Sequence, residues 1–535
     1  MIAKLRAALT LVRKPTDEEP EPLSAPELGQ RLRTQAATVA TMADDWAKRD
    51  ADVSFKDFEK ALRELVFAFA RIAIMLFLAL REEHVMRSYP DPVARDGRRF
   101  RRAPAIARSL ATLFGVVRYA RTYMRQIGSK ARHGFHPLDV SLGLVVDRFS
   151  WNVLTMATRL ATKLSFGEAR ATLALFVPNA PSTEVIEQTV LGLGRHTADW
   201  FAQAPAPKDD GEVLVIMFDS KGAPTATESE LSRRRGKRRR RQMPASPRHR
   251  GRHRRHRRHR YDKKPRRKKG DKSKNAKMAT MVVMYTLKRH SKKLLGPINR
   301  RLYASFAPKK HAFEIARREA NKRGFGPGSG KLVQIVTDGD LDLATYVAAY
   351  FPDAMHTIDV MHVIEKLWTA GECFLAEGTE PLRDWVGEQK DHLYAGEIET
   401  ILTGLRRRFD AIARTGPGNK GKRERLHGVI RYLEKRVTKM PYHQLIKQDL
   451  ELGSGAVEGA IKNIIGKRCD HGGMRWIKER VEAIVQLRCI EANGDWDAFV
   501  DFVHNRMRAE AQRDGTRLRL QSSTPAELPA LLEAA

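Results

Sequence analysis

The segment from Arg233 to Gly270 restricts the folds open to this chain more than any other part of its sequence. It holds 22 lysine and arginine residues against a single acid, Asp262, and so carries +21 of the chain's net charge of +35. Like charges at this density repel one another, and the segment has no apolar run to bury, so it cannot form a packed unit alone. We therefore expect an arm or excursion that interrupts a folded domain.

The excess of positive charge predicts a polyanionic partner, either nucleic acid or an anionic membrane face. The arm lies inside the chain, soon after a strongly apolar run at residues 213–218, and this position favours a clamp on phosphates over a solvated tail. The residues of the arm that we expect to bind DNA phosphates are Arg233, Arg234, Arg235, Lys237, Arg238, Arg239, Arg240 and Arg241.

The best match to a membrane span is VFAFARIAIMLFLAL, residues 66–80. It has 15 residues and contains Arg71, whereas a spanning helix needs about 20 apolar residues. We interpret residues 61–80 as a buried or oligomer-forming helix and expect no membrane partner. The three cysteines offer neither a disulfide framework nor a zinc-binding CxxC pair, which fits a reducing cytoplasm.

Composition and hydrophobic periodicity divide the 535 residues into six regions. Strand patterns that alternate with helical ones predict an α/β core, and the charged helical stretch after residue 370 predicts an insertion in it. The fold class we expect is multidomain and mostly α-helical around that core. The predicted regions are a helical, oligomer-forming region (1–134), a helical DNA-binding region (135–205), a first part of the core with the arm at 233–270 (206–369), a helical insertion (370–450), a second part of the core (451–500) and a C-terminal tail (501–535).

Two short helical patterns lie within the second region. SFGEARATLALF (165–176) and STEVIEQTVLGLGR (182–195) each begin with a serine, carry an acid near the third helical position and have apolar residues at helical spacing. Such a pair suits a DNA-binding helix-turn-helix, but an ordinary connection in a helical bundle has the same pattern, so both interpretations stand.

Two predicted strands end on an aspartate that is soon followed by glycine. VLVIMFDSKG ends on Asp219 and KLVQIVTDG ends on Asp338, and strand ends at one edge of a sheet place their side chains near one another. Glu458 follows the run ELGSG, which begins a helix, so it could complete the group from beside the sheet. The alternatives are a plain turn role for Asp219, and Asp340, Asp342 and Glu451 as rivals of the other two acids.

Three carboxylates at one point repel unless a cation lies among them, and magnesium prefers ligation by oxygen alone. Two such ions, Mg²⁺ or Mn²⁺, about 3.5–4 Å apart would support an in-line phosphoryl transfer. With a phosphate-binding arm on the same chain, the inferred substrate is a phosphodiester. Lys462, one helical turn after Glu458, is expected to meet a DNA phosphate.

Four blocks of the chain resemble the bacterial insertion-sequence DDE transposases of the ISKra group, which are related to Mutator-like transposases. The resemblance covers roughly residues 135–498. The four blocks are FHPLDVSLGL, FDSKGAP with the downstream RRRGKRRRR, VTDGD with FPDAMHTIDVMHVIEKLW, and GSGAVEGAIKNIIGKRCDHGGMRWIKERVEAIVQLR with its trailing NGDW.

The resemblance implies an RNase H-like catalytic core interrupted by a helical insertion, with Asp219, Asp338 and Glu458 as catalytic, metal-binding acids. It also implies cleavage at the ends of the element by a metal-activated water, followed by attack of the freed 3′-hydroxyl on target DNA.

The Asp-x-x-His element of the wider group falls on Asp359 and His362, which we place beside the metal ligands. The partners implied are the terminal inverted repeats, target DNA and a second copy of the chain, at least a dimer on DNA, in the cytoplasm on the nucleoid. The last block adds Arg468, Arg475 and Trp476 as expected DNA contacts.

The chain departs from some relatives in having no cysteine pair before the HPLD block, where a zinc ion would bind. Two other classes of protein share its features. An RNase H-like nuclease would use the same acids without strand transfer, and a non-catalytic basic nucleic-acid-binding protein would need the arm alone.

Overall fold

A computed structural model describes residues 22–48, 54–95, 97–128, 134–144, 148–232, 276–470 and 474–514. The described residues form two compact units, the first up to residue 192 together with residues from 500 onward, and the second between residues 193 and 499. Both are mixed α/β, and each contains one sheet. The predicted arm, with its eight candidate phosphate-binding residues, lies outside the described residues.

The first unit begins with two helices, α1 (Ala25–Ala47) and α2 (Phe55–Arg87). The apolar run that resembled a membrane span lies in α2, where Leu78 is buried against Val117 and Leu138. Arg71 donates a hydrogen bond to the carbonyl of Phe114 at 3.0 Å. Within the described residues, every helix is too short or too polar to cross a bilayer.

A four-stranded antiparallel sheet in the order β1-β2-β3-β4 follows α2. Among the described residues of the predicted helical region 1–134, the helices end at Arg87. The short hairpin or strand pair that the pattern LATLFGVVRYARTYMR (110–125) allowed within that region is present in β2 and β3. Alternation explains the change, since Phe100 and Met124 are buried while their neighbours Arg101 and Arg125 are exposed, a period of two that suits a strand. The strands are β1 (Val93–Arg95), β2 (Arg98–Thr112), β3 (Gly115–Gln126) and β4 (Gly134–Phe135).

Short helices make up the rest of this unit. The predicted helix pair at 165–195 is present, but the exposed start of its second helix carries Glu184 and no basic residue. Negative charge there disfavours contact with phosphates, and the DNA-binding role stays a prediction. The residues predicted as a C-terminal tail begin inside a helix that runs to Asp514. These helices are α3 (Pro137–Leu142), α4 (Trp151–Lys163), α5 (Phe166–Ala174), α6 (Thr183–Gly194) and, from the end of the chain, α18 (Trp496–Asp514).

The second unit is built on a five-stranded sheet in the order β7-β6-β5-β8-β9. β5 pairs antiparallel with β6 and parallel with β8, and β8 pairs parallel with β9. The sequence did not predict β7, because its Gly296-Pro297 pair is a turn signal within the strand. The strands are β5 (Val213–Pro224), β6 (Ala276–His290), β7 (Lys293–Ser305), β8 (Leu332–Thr337) and β9 (Met355–Ile358).

Helices cover the sheet. Phe218 of β5 stacks on Phe313 with ring centroids 3.9 Å apart, in a core that also buries Leu214, Ile216 and Ile335. Alternate residues of β5 and β8 thus face one helical layer, so the residues between them face the other side of the sheet. The helices near the sheet are α7 (Thr197–Gln203), α8 (Lys309–Lys322), α9 (Leu341–Tyr350) and α10 (Val360–Gly371).

The stretch at 370–450 contains helices and no strand, as predicted. Its helices are α11 (Glu380–Ala395), α12 (Ile398–Ala411), α13 (Asn419–Glu434) and α14 (Tyr442–Lys447), with a 3₁₀ turn at Val437–Lys439. The chain then continues through α15 (Gly455–Ile461), a π-helical turn at Lys462–Gly466, α16 (Lys467–Cys469) and α17 (Lys478–Ala492).

A buried ion pair ties the start of β5 to the end of α8. The side chain of Arg323 is fully buried and donates two hydrogen bonds of 2.6 Å to the carboxylate of Asp210. Burial alone would raise the pKa of Asp210, but the hydrogen bonds from Arg323 and Thr286 outweigh it and lower the pKa. A buried guanidinium that loses its counter-charge is costly.

We therefore expect Asp210→Asn to lower the free energy of unfolding by about 3 kcal/mol at neutral pH. Because the pKa of Asp210 is lowered in the folded state, the pair's contribution is present above the ordinary aspartate pKa and is lost as the pH falls through the lowered value. Urea unfolding at neutral and acidic pH measures both effects, and the gap between wild type and variant should shrink in acid. Asp209→Asn is the control, since that exposed carboxylate bonds only Lys288 among the described side chains, and a loss as large for Asp209 would contradict the prediction.

Candidate metal centre

Three aspartates stand in register where the parallel pairing of three neighbouring strands ends. Asp338 and Asp359 directly follow β8 and β9, whereas β5 continues past Asp219 to Pro224 in its pairing with β6, so the predicted end of that strand at Asp219 is wrong. Met217 of β5 pairs with Val336 of β8, and two residues further on each strand lie Asp219 and Asp338. Thr337 of β8 pairs with Ile358 of β9, and one residue further lie Asp338 and Asp359. In sheets of this kind the crevice at the carboxyl ends of parallel strands is where ligands bind.

Asp219 is half-buried on the face of the sheet opposite the core of Phe218 and Phe313. Burial raises the pKa of its carboxyl group, and the nearby carboxylates of Asp338 and Glu458 raise it further against the lowering effects of the Ser220 N–H and His362. Asp338 and Glu458 are therefore both close enough to Asp219 to act on its carboxyl group.

Asp340 and Asp342 are the two alternatives to Asp338 that the sequence offers, and their hydrogen bonds and ion pairs distinguish them from Asp338. Asp340 accepts a hydrogen bond from the N–H of Asp342 at the start of α9, and both carboxylates bind the ammonium group of Lys309, at 3.3 and 2.8 Å. Asp338 accepts one hydrogen bond from the N–H of Asp340 at 2.9 Å.

Two side chains of the helical stretch hold the loop after β8. The Tyr432 hydroxyl donates to the carbonyl of Asp338 at 3.1 Å, and the Arg436 guanidinium donates to the carbonyl of Gly339 at 2.7 Å. Gly339 has a φ of +85°, and a Cβ there would lie 2.5 Å from the Tyr432 hydroxyl. Sequence reasoning missed Tyr432 and Arg436, because nothing local connects them to a strand end far away in the chain.

The side chain of Asp359 is buried, and both of its carboxylate oxygens accept hydrogen bonds. It accepts hydrogen bonds from the N–H of Met361 at 2.8 Å, from the ring of His362 at 3.1 Å and from the Ser454 hydroxyl. Burial would raise its pKa, but these bonds lower it, and the bond to Asp359 raises the pKa of His362. Asp359 thus fixes the orientation of the imidazole through Nδ1. The supporting role beside the metal ligands stays a prediction for this pair.

Glu458 lies on the first turn of α15 and is exposed. Ligand atoms of Asp359, His362 and Glu458 all lie within 4.8 Å of one another. Glu451, the alternative to Glu458, precedes α15. The backbone of Glu451 is bonded on both sides to the amide of Gln334, and its carboxylate accepts a hydrogen bond from Tyr285. Glu451 therefore joins α15 to the sheet, away from the three strand ends.

An open groove beside Asp219 and Glu458 is lined by three lysines, namely Lys221, Lys462 and Lys467. Lys462 was expected from its helical spacing. Lys221 and Lys467 were missed, although Lys221 had a signal, since a residue two positions after Asp219 on a strand lies on the same face. Asp470 also lines this groove, with its carboxylate 3.9 Å from the ammonium group of Lys221. The ammonium groups suit a phosphate, which the acids would repel unless a cation lay between them.

Two of the DNA contacts expected from the last sequence block are wrong. Arg468 and Trp476 are only 2% and 7% exposed, the guanidinium lies 4.6 Å from the indole centroid, and the indole N–H donates to the carbonyl of Cys469 at 3.1 Å. Trp476 also exchanges backbone hydrogen bonds with the end of β5, at Pro224 and Ala226. These residues anchor the segment after α15 to the strand of Asp219, so they cannot reach DNA. Arg475 is half-buried.

The residues present fit a divalent cation. The site offers carboxylate oxygens from Asp219, Asp338 and Glu458, and the repulsion that raises the pKa of Asp219 is what a bound cation would relieve. The His362 imidazole is grouped with Glu458 and Asp359, whose ligand atoms lie within 4.8 Å of one another; among the described residues Asp219 and Asp338 do not join that group. No further ligand type is needed for magnesium or manganese.

Comparison of the chain with protein-family models and with curated proteins finds no match. The function is therefore argued from the geometry of the metal centre.

We expect Asp219→Asn to lower the affinity for Mn²⁺ by at least about tenfold, because losing even a group behind a metal ligand costs about 10–100-fold. Titration of the full chain, followed by the electron paramagnetic resonance of free Mn²⁺, measures this. Asp342→Asn is the matched control, since that carboxylate is bound to Lys309. Equal losses in the two variants would place the cation elsewhere.

Proposed function

We propose that the second unit is a metal-dependent phosphoryl-transfer enzyme with an RNase H-like core, and that its substrate is DNA. More particularly, we propose that the chain is a DDE transposase, which cuts DNA at the ends of an insertion sequence and joins the freed 3′-hydroxyl to target DNA. The observation that carries the proposal is the convergence of Asp219 and Asp338, in register on adjacent parallel strands, with Glu458 from α15.

The sheet supports the finer part of this proposal. A mixed five-stranded sheet, with acids at the ends of neighbouring parallel strands and a helical stretch between the second and third acids, is what the sequence resemblance implies for an interrupted RNase H-like core. The net charge of +35 favours a nucleic acid as the substrate.

Each group at the site has a task that follows from its contacts. Asp219, Asp338 and Glu458 would hold the cations, and Lys221, Lys462 and Lys467 would bind phosphates of the strand in the groove. Tyr432 and Arg436 keep Asp338 in place, and Asp359 holds the ring of His362 toward Glu458. When bound, two Mg²⁺ or Mn²⁺ ions would activate the attacking oxygen and neutralise charge on the leaving oxygen.

A transposase must also hold two element ends at once, so the proposal includes a homo-oligomer on DNA. α2, which contains the residues 61–80 that we predicted to form an oligomer contact, exposes Phe77 and Leu80 by about half. This part of the proposal, like the location on the nucleoid, rests on the sequence resemblance.

We expect Glu458→Gln to abolish magnesium-dependent nicking while leaving DNA binding within a few fold, because the change removes a metal ligand and keeps the shape of the side chain. Glu451→Gln, the matched control, should retain nicking, since that residue bonds Tyr285 and Gln334. The assay uses a duplex taken from the DNA that flanks the coding sequence, with binding measured in parallel in calcium. Robust nicking by the Glu458 variant would remove it from the metal centre.

The same preparation separates the rival classes. Incubation of cut ends with a plasmid gives joined products only from a transposase, whereas a nuclease gives nicks without joining. A non-catalytic nucleic-acid-binding protein would give neither product and would tolerate the loss of Asp219.

A further inference from the structure

In the first unit, one face of the sheet carries arginines that oppose one another across neighbouring strands. Arg101 of β2 is paired directly with Arg125 of β3, and Arg99 lies on the same face, two residues before Arg101. All three side chains are exposed. The opposite face is apolar, with Phe100 and Met124 buried against Met86, Phe135 and Val140. We call the exposed surface of Arg99, Arg101 and Arg125 the arginine face.

Two other arginines of β2, Arg102 and Arg108, have acceptors within the described residues. Arg102 donates to the carbonyls of Met86 and Tyr89, both at 2.7 Å, and Arg108 donates to the carboxylate of Asp139 at 3.1 Å. Across the described part of the chain, no carboxylate lies within ion-pair distance of Arg99, Arg101 or Arg125.

Two like charges directly opposite each other in an antiparallel pair are destabilising. A sheet that keeps Arg101 opposite Arg125 without a carboxylate between them gives up stability in the free protein, and an anion placed over the pair would recover it. Guanidinium groups suit phosphate in particular, because their planar N–H groups bind two oxygens at once.

We propose that the arginine face binds the phosphate backbone of duplex DNA, without reading its sequence. The choice of DNA as the polyanion rests on the proposed function. Phosphate contacts of this kind fix the position of a protein on the duplex and carry no sequence information. The inference adds a second DNA-binding surface, built on a rigid sheet, to the arm predicted at residues 233–270.

The test compares two double variants of the full chain that lose the same charge from the same unit. Arg101→Gln with Arg125→Gln alters the arginine face, and Arg31→Gln with Arg33→Gln alters two exposed residues of α1. Binding to a random duplex is measured by fluorescence anisotropy over a range of salt concentrations. Each phosphate contact contributes a slope of about 0.9 in log K against log salt, so we expect the slope of the first variant to fall by about 1.8 and that of the control to stay unchanged.

Two further measurements separate a role in binding from a role in folding. The melting temperature of the free protein should not fall in the Arg101/Arg125 variant, because the change relieves repulsion, and Arg101→Lys with Arg125→Lys should keep the wild-type slope. Equal slopes in the two glutamine variants, or a lower melting temperature for the first, would overturn the proposal. If the Arg101/Arg125 glutamine variant keeps the wild-type slope and the wild-type protein nicks DNA, the arginine face is excluded as a DNA-binding surface and the proposed function stands. If that variant has a reduced slope but the wild-type protein does not nick DNA, the arginine face stands and the proposed function fails.

Discussion

The parallel pairing of β8 with β5 and β9 determines where three aspartates stand, because Asp219, Asp338 and Asp359 occupy equivalent positions just past the paired residues. Such an arrangement concentrates negative charge at one edge of a sheet that is otherwise apolar. The chain offsets this charge in two ways. The carboxylate of Asp359 accepts hydrogen bonds from a histidine, a hydroxyl and a backbone N–H of the protein. Asp219 and Asp338 keep much of their ligand capacity, and they share the edge with Glu458.

The helical stretch at 370–450 is part of the site's support. It sends Tyr432 and Arg436 to the carbonyls of Asp338 and Gly339, and Tyr442 to the carbonyl of Ile358 beside Asp359. Three backbone oxygens at the ends of β8 and β9 are thus held by side chains that come from outside the sheet. A change in this stretch can therefore move two acids at once without touching either carboxylate.

Much of the second unit could be predicted from the sequence, because its strands are apolar runs with clear ends. The positions of Asp338 at a strand end and of Glu458 at a helix start follow from local signals, and the run at 453–455 correctly separated Glu458 from Glu451. The same signals predicted a strand end at Asp219, where β5 continues to Pro224. What could not be predicted depends on contacts distant in sequence. Trp476 is buried where its backbone pairs with the end of β5, and Arg468 is buried beside its indole, whereas a basic, aromatic pattern in the sequence resembles a DNA contact equally well.

In the first unit, the full extent of the four-stranded sheet was not predicted, for a different reason. The strands at 98–126 carry arginines on the exposed face, and this charge conceals the alternation of apolar residues on the buried face. Burial of Phe100, Val117 and Met124 becomes clear only when the packing against α2 and α3 is known. The charges that obscured the sheet are the same ones that give its exposed face a chemical character.

Affinity cleavage by Fe²⁺ tests most directly whether the four segments form one metal centre. With ascorbate and peroxide, iron bound in place of magnesium generates hydroxyl radicals that cut the nearest backbone, and mass spectrometry locates the cuts. We predict cuts beside Asp219, Asp338, Asp359 and Glu458 together, all suppressed by excess Mg²⁺. Cuts near Asp338 without cuts near Asp219 and Glu458 would contradict a shared centre.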